Sequence, residues 1–210
     1  DFAPSELAME LLFLHEANRG VLTELSRFND QLVQSRRVAL LQAQTDPLTG
    51  LGNRRGLEMA LAMALRSAGE GPDAEPVPFA VVHLDLDHFK QVNDILGHKA
   101  GDDLLQAVGG VLRAQVRKAD TAARIGGDEF VLILSGMTSV AALHELARRI
   151  IEAIGSLTPP GLGEVRVSAS IGIVVCRGER GASPGDLLAQ ADEALYEAKH
   201  KGRGCATIRQ

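Results

Sequence analysis

Three groups of residues carry oxygen and backbone chemistry at spacings short enough to cooperate. Asp85-Leu86-Asp87 closes an apolar run from Phe79 to Leu86 that has the composition of a strand. Period-two alternation there puts Val82, Leu84 and Leu86 on one face and Val81, His83, Asp85 and Asp87 on the other. Gly126-Gly127-Asp128-Glu129-Phe130 places two glycines before paired carboxylates, at the expected tip of a β-hairpin between Arg124 and Phe130–Leu134. Asn93-Asp94 and Asp102 form the third group. Carboxylates at a strand end and on a neighbouring hairpin suit a hard cation: Mg²⁺ takes oxygen ligands, usually one or two carboxylates with the rest from substrate phosphates. Glycines let backbone approach a phosphate closely, and a pair of such cations activates a hydroxyl while stabilising a leaving pyrophosphate. Alone, an Asp at a strand end is an ordinary cap and a Gly-Gly-Asp an ordinary turn. Their combination points to one metal–phosphate site.

Positioning these groups takes an alternation of helices and strands. The pattern predicts helices over Arg54–Ala68, His88–Gly97, Gly101–Val116, Val140–Ile154 and Pro184–His200, the last with its proline at a helix start. Residues 69–78 read as a loop, Val165–Cys176 as the longest strand and Cys205–Ile208 as a short final one. The hairpin signal implies antiparallel pairing, which favours an α+β sandwich over a doubly wound parallel sheet.

Residues 5–45 differ from the rest. Leu7, Leu11, Leu14, Asn18, Val21, Leu25, Phe28 and Leu32 recur at alternating steps of four and three, a heptad seam that fades after Leu32. Asn18 at one seam position is a device that fixes register between two parallel strands. A 40-residue helix reaches about 60 Å, so the expectation is a parallel two-chain coiled coil over residues 5–45 rather than a helix lying on its own domain. Two units follow: 1–45, a helical dimerisation segment, and 46–210, the remainder.

Composition narrows the function. Of 210 residues, 45% are hydrophobic, enough for a sizeable core, and the formal charge of −5 argues against a general DNA or RNA binder. Only 3% are aromatic, with no Trp, so base-stacking platforms are not expected. Cys176 and Cys205 read as reduced thiols of a cytoplasmic protein. No apolar run is long enough to span a bilayer. The first residue is Asp1, not Met, which predicts a missing upstream sensory part.

Several motifs together resemble the GGDEF domains, the diguanylate cyclases. Arg124-Ile125-Gly126-Gly127-Asp128-Glu129-Phe130 is similar to the family signature; Asp46-Pro47-Leu48-Thr49-Gly50-Leu51-Gly52-Asn53-Arg54-Arg55 to its opening motif; Asp85 through Lys90, Asn93-Asp94, Gly97-His98 and Gly101-Asp102 to its central block. Ala194-Leu195-Tyr196-Glu197-Ala198-Lys199 through Gly202-Arg203-Gly204 is similar to its closing motif, with Gly204 where Asn is usual. The resemblance covers 46–210 and implies a ferredoxin-like, nucleotidyl-cyclase palm: a mainly antiparallel sheet flanked by helices, here preceded by a long α-helix.

The resemblance also implies roles. Asp85, Glu129 and the Leu86 carbonyl would ligate Mg²⁺ or Mn²⁺, two ions per half-site, with Asp128 as a further metal carboxylate or the base for the attacking 3′-hydroxyl. Gly126 and Gly127 would cradle phosphate. Asn93 and Asp102 would read guanine, whose N1–H and N2 amine suit a carboxylate acceptor. Lys90, Lys199 and Arg203 would hold terminal phosphates, Lys199 and Arg203 one turn apart if the helix extends that far. Asp46 and Arg54 would fix the opening turn. Arg117-Lys118-Ala119-Asp120 resembles an inhibitory RxxD product site, with Arg148 as a supporting guanidinium. The implied reaction condenses two GTP into cyclic di-GMP and two pyrophosphates across a homodimer; a catalytically inactive receptor for GTP or cyclic di-GMP is the alternative.

Overall fold

The structure is a computed structural model that describes residues 4–67, 77–157, 167–177 and 183–209. The expected loop at 69–78 falls outside these residues except for Val77 and Pro78, as do the first two residues of the strand expected from Val165. The chain divides into two compact units, Asp1–Ala43 and Gln44–Gln210.

The first unit is one helix, α1 (Pro4–Gln44). Of the seam residues whose side chains are described, Leu14, Val21, Leu25, Phe28 and Leu32 are all more than half exposed.

The second unit runs α2 (Arg54–Ser67), β1 (Phe79–Asp87), α3 (Phe89–Leu96), α4 (His98–Gln115), β2 (Thr121–Gly126), β3 (Glu129–Ser135), α5 (Val140–Gly155), β4 (Ser168–Cys176), α6 (Pro184–His200) and β5 (Ala206–Arg209). Ser139 caps α5 and Ser183 caps α6, each side-chain oxygen accepting from the backbone N–H three residues on. The strands form one sheet in the order β2-β3-β1-β4-β5. All pairings are antiparallel except β4 with β5, so the architecture is the α+β, mainly antiparallel one read from the hairpin signal.

The alternation of β1 sorts the core into two layers. Ala80, Val82, Leu84 and Leu86 pack with Val92 of α3, Leu104 and Val108 of α4 and Leu143 and Ile150 of α5. On the other face Phe79 and Val81 meet Leu57 and Leu61 of α2 and Leu187 and Ala191 of α6. Helix α6 lies so close to the sheet that a Cβ at Gly172 of β4 would stand 2.2 Å from both the Ala191 carbonyl oxygen and the Leu195 nitrogen. Only glycine permits that approach.

Candidate active site

β1 is the central strand, and its C-terminal end meets the hairpin tip. Asp85 lies directly opposite Glu129 in the β1–β3 ladder, and the Leu86 N–H donates to the Asp128 carbonyl at 3.3 Å. Residues opposite one another share a face, so Asp85 and Glu129 project to the α2/α6 side. From α6, Lys199 brings its ammonium to 2.9 Å from Asp85 Oδ1. Asp128 is within electrostatic reach of Asp85, Lys199 and Glu129; burial, then the Asp85 charge, pushes its carboxyl above the usual range. Three carboxylates against one ammonium leave this end of the sheet short of positive charge.

The turn itself is open. Gly127 has φ +44°, the left-handed region, and a Cβ at Gly126 or Gly127 would meet nothing within 4 Å. The turn is braced from behind: Arg124 Nε donates to the Gly127 carbonyl at 2.9 Å while its Nη1 reaches Asp46 Oδ2 at 3.3 Å. Asp46 also accepts from the Thr49 N–H and hydroxyl, at 2.8 and 2.6 Å. Burial alone would raise the Asp46 carboxyl, but the Thr49 hydrogen bonds and the Arg124 guanidinium outweigh it and hold the carboxyl below its ordinary value. Asp46 thus ties the opening motif to the glycine turn. Asn53 Oδ1 accepts from Gly56 N at 3.0 Å, and exposed Arg54 opens α2 beside a concavity of about 690 Å³ that also takes in Gly126 and Gly127.

A single residue, His88 (φ +62°), separates β1 from α3. That helix carries exposed Lys90 and half-buried Asn93; α4 carries exposed Asp102. Gly101 makes the α3–α4 approach possible: a Cβ there would stand 2.0 Å from Asn93 Oδ1. At the other end of the site α6 stops at His200, so Arg203 is not a helical turn beyond Lys199. It sits in a loop at φ +63° between Gly202 (φ +120°) and Gly204 (φ +58°), with its N–H donating to the Ala198 carbonyl at 3.3 Å. That loop is pinned by a residue whose role sequence reasoning left unassigned. Asp87, 3% exposed, accepts from the Ser170 hydroxyl at 2.7 Å and from the Gly204 N–H at 3.0 Å. Its alternation with Asp85 was the available signal. The positive φ at Gly204 suits glycine, and also the Asn usual there.

Arg117 and Asp120 share a turn. Asp120 Oδ2 accepts from the Arg117 N–H at 2.8 Å and Oδ1 from the Ser135 N–H at 3.1 Å, so this carboxylate folds the α4–β2 connection. Both residues line a concavity of about 360 Å³ with Arg113 and Gly50. Arg148 lies elsewhere, in a hollow beside Cys205 and Ala206, where Glu145 and Glu152 of its own helix engage its guanidinium.

Among the described residues, no three carboxylate, imidazole or thiolate side chains converge closely enough to hold a metal ion unaided, and no helix is long and apolar enough to cross a membrane.

Comparison with known proteins places the chain in a family. The family profile described as "Diguanylate cyclase, GGDEF domain" matches residues 43–205. The bifunctional diguanylate cyclase/cyclic di-GMP phosphodiesterase MucR of Pseudomonas aeruginosa is 41% identical over 189 residues, 90% of this chain and 26% of MucR. The diguanylate cyclase DgcS of Shewanella oneidensis is 40% identical over 169 residues, 79% of this chain and 52% of DgcS. The chain therefore spans about a quarter to a half of these relatives' length. The crystal structure of the coiled coil and GGDEF domain of DgcB from Caulobacter crescentus, in complex with c-di-GMP, superposes with a TM-score of 0.76 at 28% identity, over 93% of this chain and 99% of that one. With the profile running from just before the Asp46 turn through the Gly204 loop, the chain belongs to the GGDEF family of diguanylate cyclase domains.

Proposed function

We propose that this chain condenses two GTP into cyclic di-GMP and two pyrophosphates. The observation that carries the reading is the direct pairing of Asp85 with Glu129 at the open Gly126-Gly127 turn, with Lys199 of α6 reaching the same carboxylate. The donor set fits a hard divalent cation, because three carboxylates face the single Lys199 ammonium and are too few to hold an ion without substrate oxygens. Asp85, Glu129 and the Leu86 carbonyl would hold Mg²⁺ or Mn²⁺, two ions per half-site, which neutralise phosphate charge and acidify the attacking hydroxyl when bound.

The chain's own groups then divide the work. Asn93 and Asp102 take the guanine edge. The Gly126-Gly127 backbone lies along the phosphates, and Lys90, Lys199 and Arg203 take the terminal ones. Lys199 must release Asp85 to do so, which couples nucleotide entry to cation entry. Asp128, its carboxyl raised by burial and by Asp85, is the better proton acceptor for the 3′-hydroxyl. One domain presents one nucleotide, so the ring closes only between two copies. The exposed α1 seam supports a parallel coiled coil that raises the local concentration of the second half-site. Arg117 and Asp120 form the product-inhibition site in this reading; Arg148, in a separate hollow and engaged by Glu145 and Glu152, is not its supporting guanidinium within one copy. An upstream sensory part would set the pairing of the helices.

Incubating the purified chain with GTP and Mg²⁺ tests this. Pyrophosphate release with formation of cyclic di-GMP is expected, and added cyclic di-GMP slows it. Nucleotide binding without pyrophosphate release would leave the receptor alternative standing instead.

A further inference from the structure

Among the described residues, the only fully buried side-chain nitrogen or oxygen atoms without a hydrogen-bond partner are the two ring nitrogens of His83. Buried polar groups in folded proteins nearly always have partners, and the exceptions tend to mark functional positions. His83 is 7% exposed and sits in mid-β1, paired with Val131 of β3 and Gly172 of β4. The alternation that aims Asp85 toward α6 aims His83 the same way. Glu129 is its diagonal cross-strand neighbour, a separation that long side chains bridge. Above it stands α6, with Asp192 Oδ1 at 3.6 Å from Nδ1, beyond hydrogen-bond length. Glu129, Asp192, Asp85 and Lys199 are the charged groups that face the ring.

The ring therefore lies one layer beneath the acidic cluster and holds donor capacity that nothing uses. We infer that His83 is a positioning residue for the Glu129 carboxylate, its ring N–H donating to that carboxylate when nucleotide and cation load the site. Carboxylates that hold a metal are themselves usually fixed by hydrogen bonds from behind. In the resting state Lys199 occupies Asp85 and Glu129 is free to lie away from the ring. Once phosphate draws Lys199 off, Glu129 must be held in one place, and the waiting imidazole is the buried donor within reach. The inference rests on the assignment of Glu129 as a cation ligand.

Three proteins test it: the wild type, His83→Leu and His83→Gln, all as the full chain. Leucine fills the volume without polar atoms, and replacing unpartnered buried nitrogens costs little stability, so the melting temperature of H83L should equal or exceed that of the wild type. Mg²⁺ titrated in the presence of a non-hydrolysable GTP analogue, read by calorimetry, should bind about 10–100-fold more weakly to H83L. Its kcat should fall similarly while KM for GTP stays within about twofold, and H83Q, which keeps a donor, should recover most of the loss. A structural role alone would move the melting temperature and leave Mg²⁺ affinity unchanged. Wild-type Mg²⁺ affinity and kcat in both variants would overturn the inference. If the wild type itself binds no Mg²⁺ with the analogue, the cation-ligand assignment fails first and the inference with it. If H83L does not fold, wild-type Mg²⁺ affinity in H83A overturns it and a 10-fold loss there supports it.

Discussion

The close approach of α6 to β4 at Gly172 offers a sharp test of how packing sets the site. Gly172→Ala adds one methyl group on the face of β4 beneath α6, 2.2 Å from the Ala191 oxygen and the Leu195 nitrogen and 2.8 Å from the Ala194 carbonyl carbon. All three are backbone atoms, so no rotamer relieves the overlap. Ordinary Cβ contacts begin at 3.4 Å, so helix and strand must part by roughly 1.2 Å. Overpacking of this kind costs about 1–3 kcal/mol, more when backbone must move; at about 3 kcal/mol the melting temperature of a domain this size falls by roughly 6–12 °C. The helix that retreats carries Lys199, now 2.9 Å from Asp85. A displacement near 1 Å at a catalytic group costs on the order of 100-fold in rate, so GTP turnover should fall by about that factor even at 20 °C, where the variant is still folded. Thermal melts and steady-state turnover on the same preparation read both effects. A variant with wild-type melting temperature and turnover would refute the claim that α6 is pressed against the sheet at Gly172.

Three further outcomes follow from named contacts. Gly101→Ala places a Cβ 2.0 Å from Asn93 Oδ1; the amide must swing away, so KM for GTP should rise about 10-fold or more with a smaller change in kcat, and an unchanged KM would argue against Asn93 reading the base. Asp87→Ala strips partners from the Ser170 hydroxyl and the Gly204 N–H, at about 1–3 kcal/mol for each group left buried and unpaired; a lower melting temperature together with weaker GTP binding is expected, because the loop carrying Arg203 loses its tether. Asp46 has a folded-state carboxyl below its unfolded value, so its contribution to stability is complete above roughly pH 4 and is lost as pH falls through the folded value. Melts between pH 6 and pH 2.5 should therefore show a steeper acid decline in the wild type than in Asp46→Asn, and parallel curves would contradict this.

Much of the domain was legible because its strands and helices obey simple periods. The alternation in Phe79–Asp87 correctly separated Val82, Leu84 and Leu86 from His83 and Asp85, since a strand with helices on both faces must sort its side chains by parity. Proline at the start of α6 and the glycine hairpin located two further boundaries. What lay beyond reach were the contacts between segments remote in sequence. Nothing local in Asp87 says that it fastens a loop 117 residues away, and nothing in Arg117–Asp120 says that the acid spends its oxygens on the Arg117 and Ser135 amides. The end of α6 at His200 was legible, but the condition that would put Arg203 one helical turn beyond Lys199 is not met, because three residues of positive φ, two of them glycines, turn the chain out of the helix. Parity put His83 on the face of Asp85, but its burial beneath α6 depends on a helix more than 100 residues further along the chain.

The strand that bears Asp85 is shielded almost throughout: of its nine residues only Asp85 is more than marginally exposed. Amides along β1 should then exchange with solvent only when the whole domain opens, as is usual for a central core strand. Asp85 therefore has no private melting transition. Control of the site through Asp85 cannot work by ordering and disordering it at modest cost, because loosening Asp85 means dismantling the sheet. In the proposed reading, a signal that acts on this strand would leave it rigid and govern where the domain is presented, through geometry between copies rather than through local flexibility.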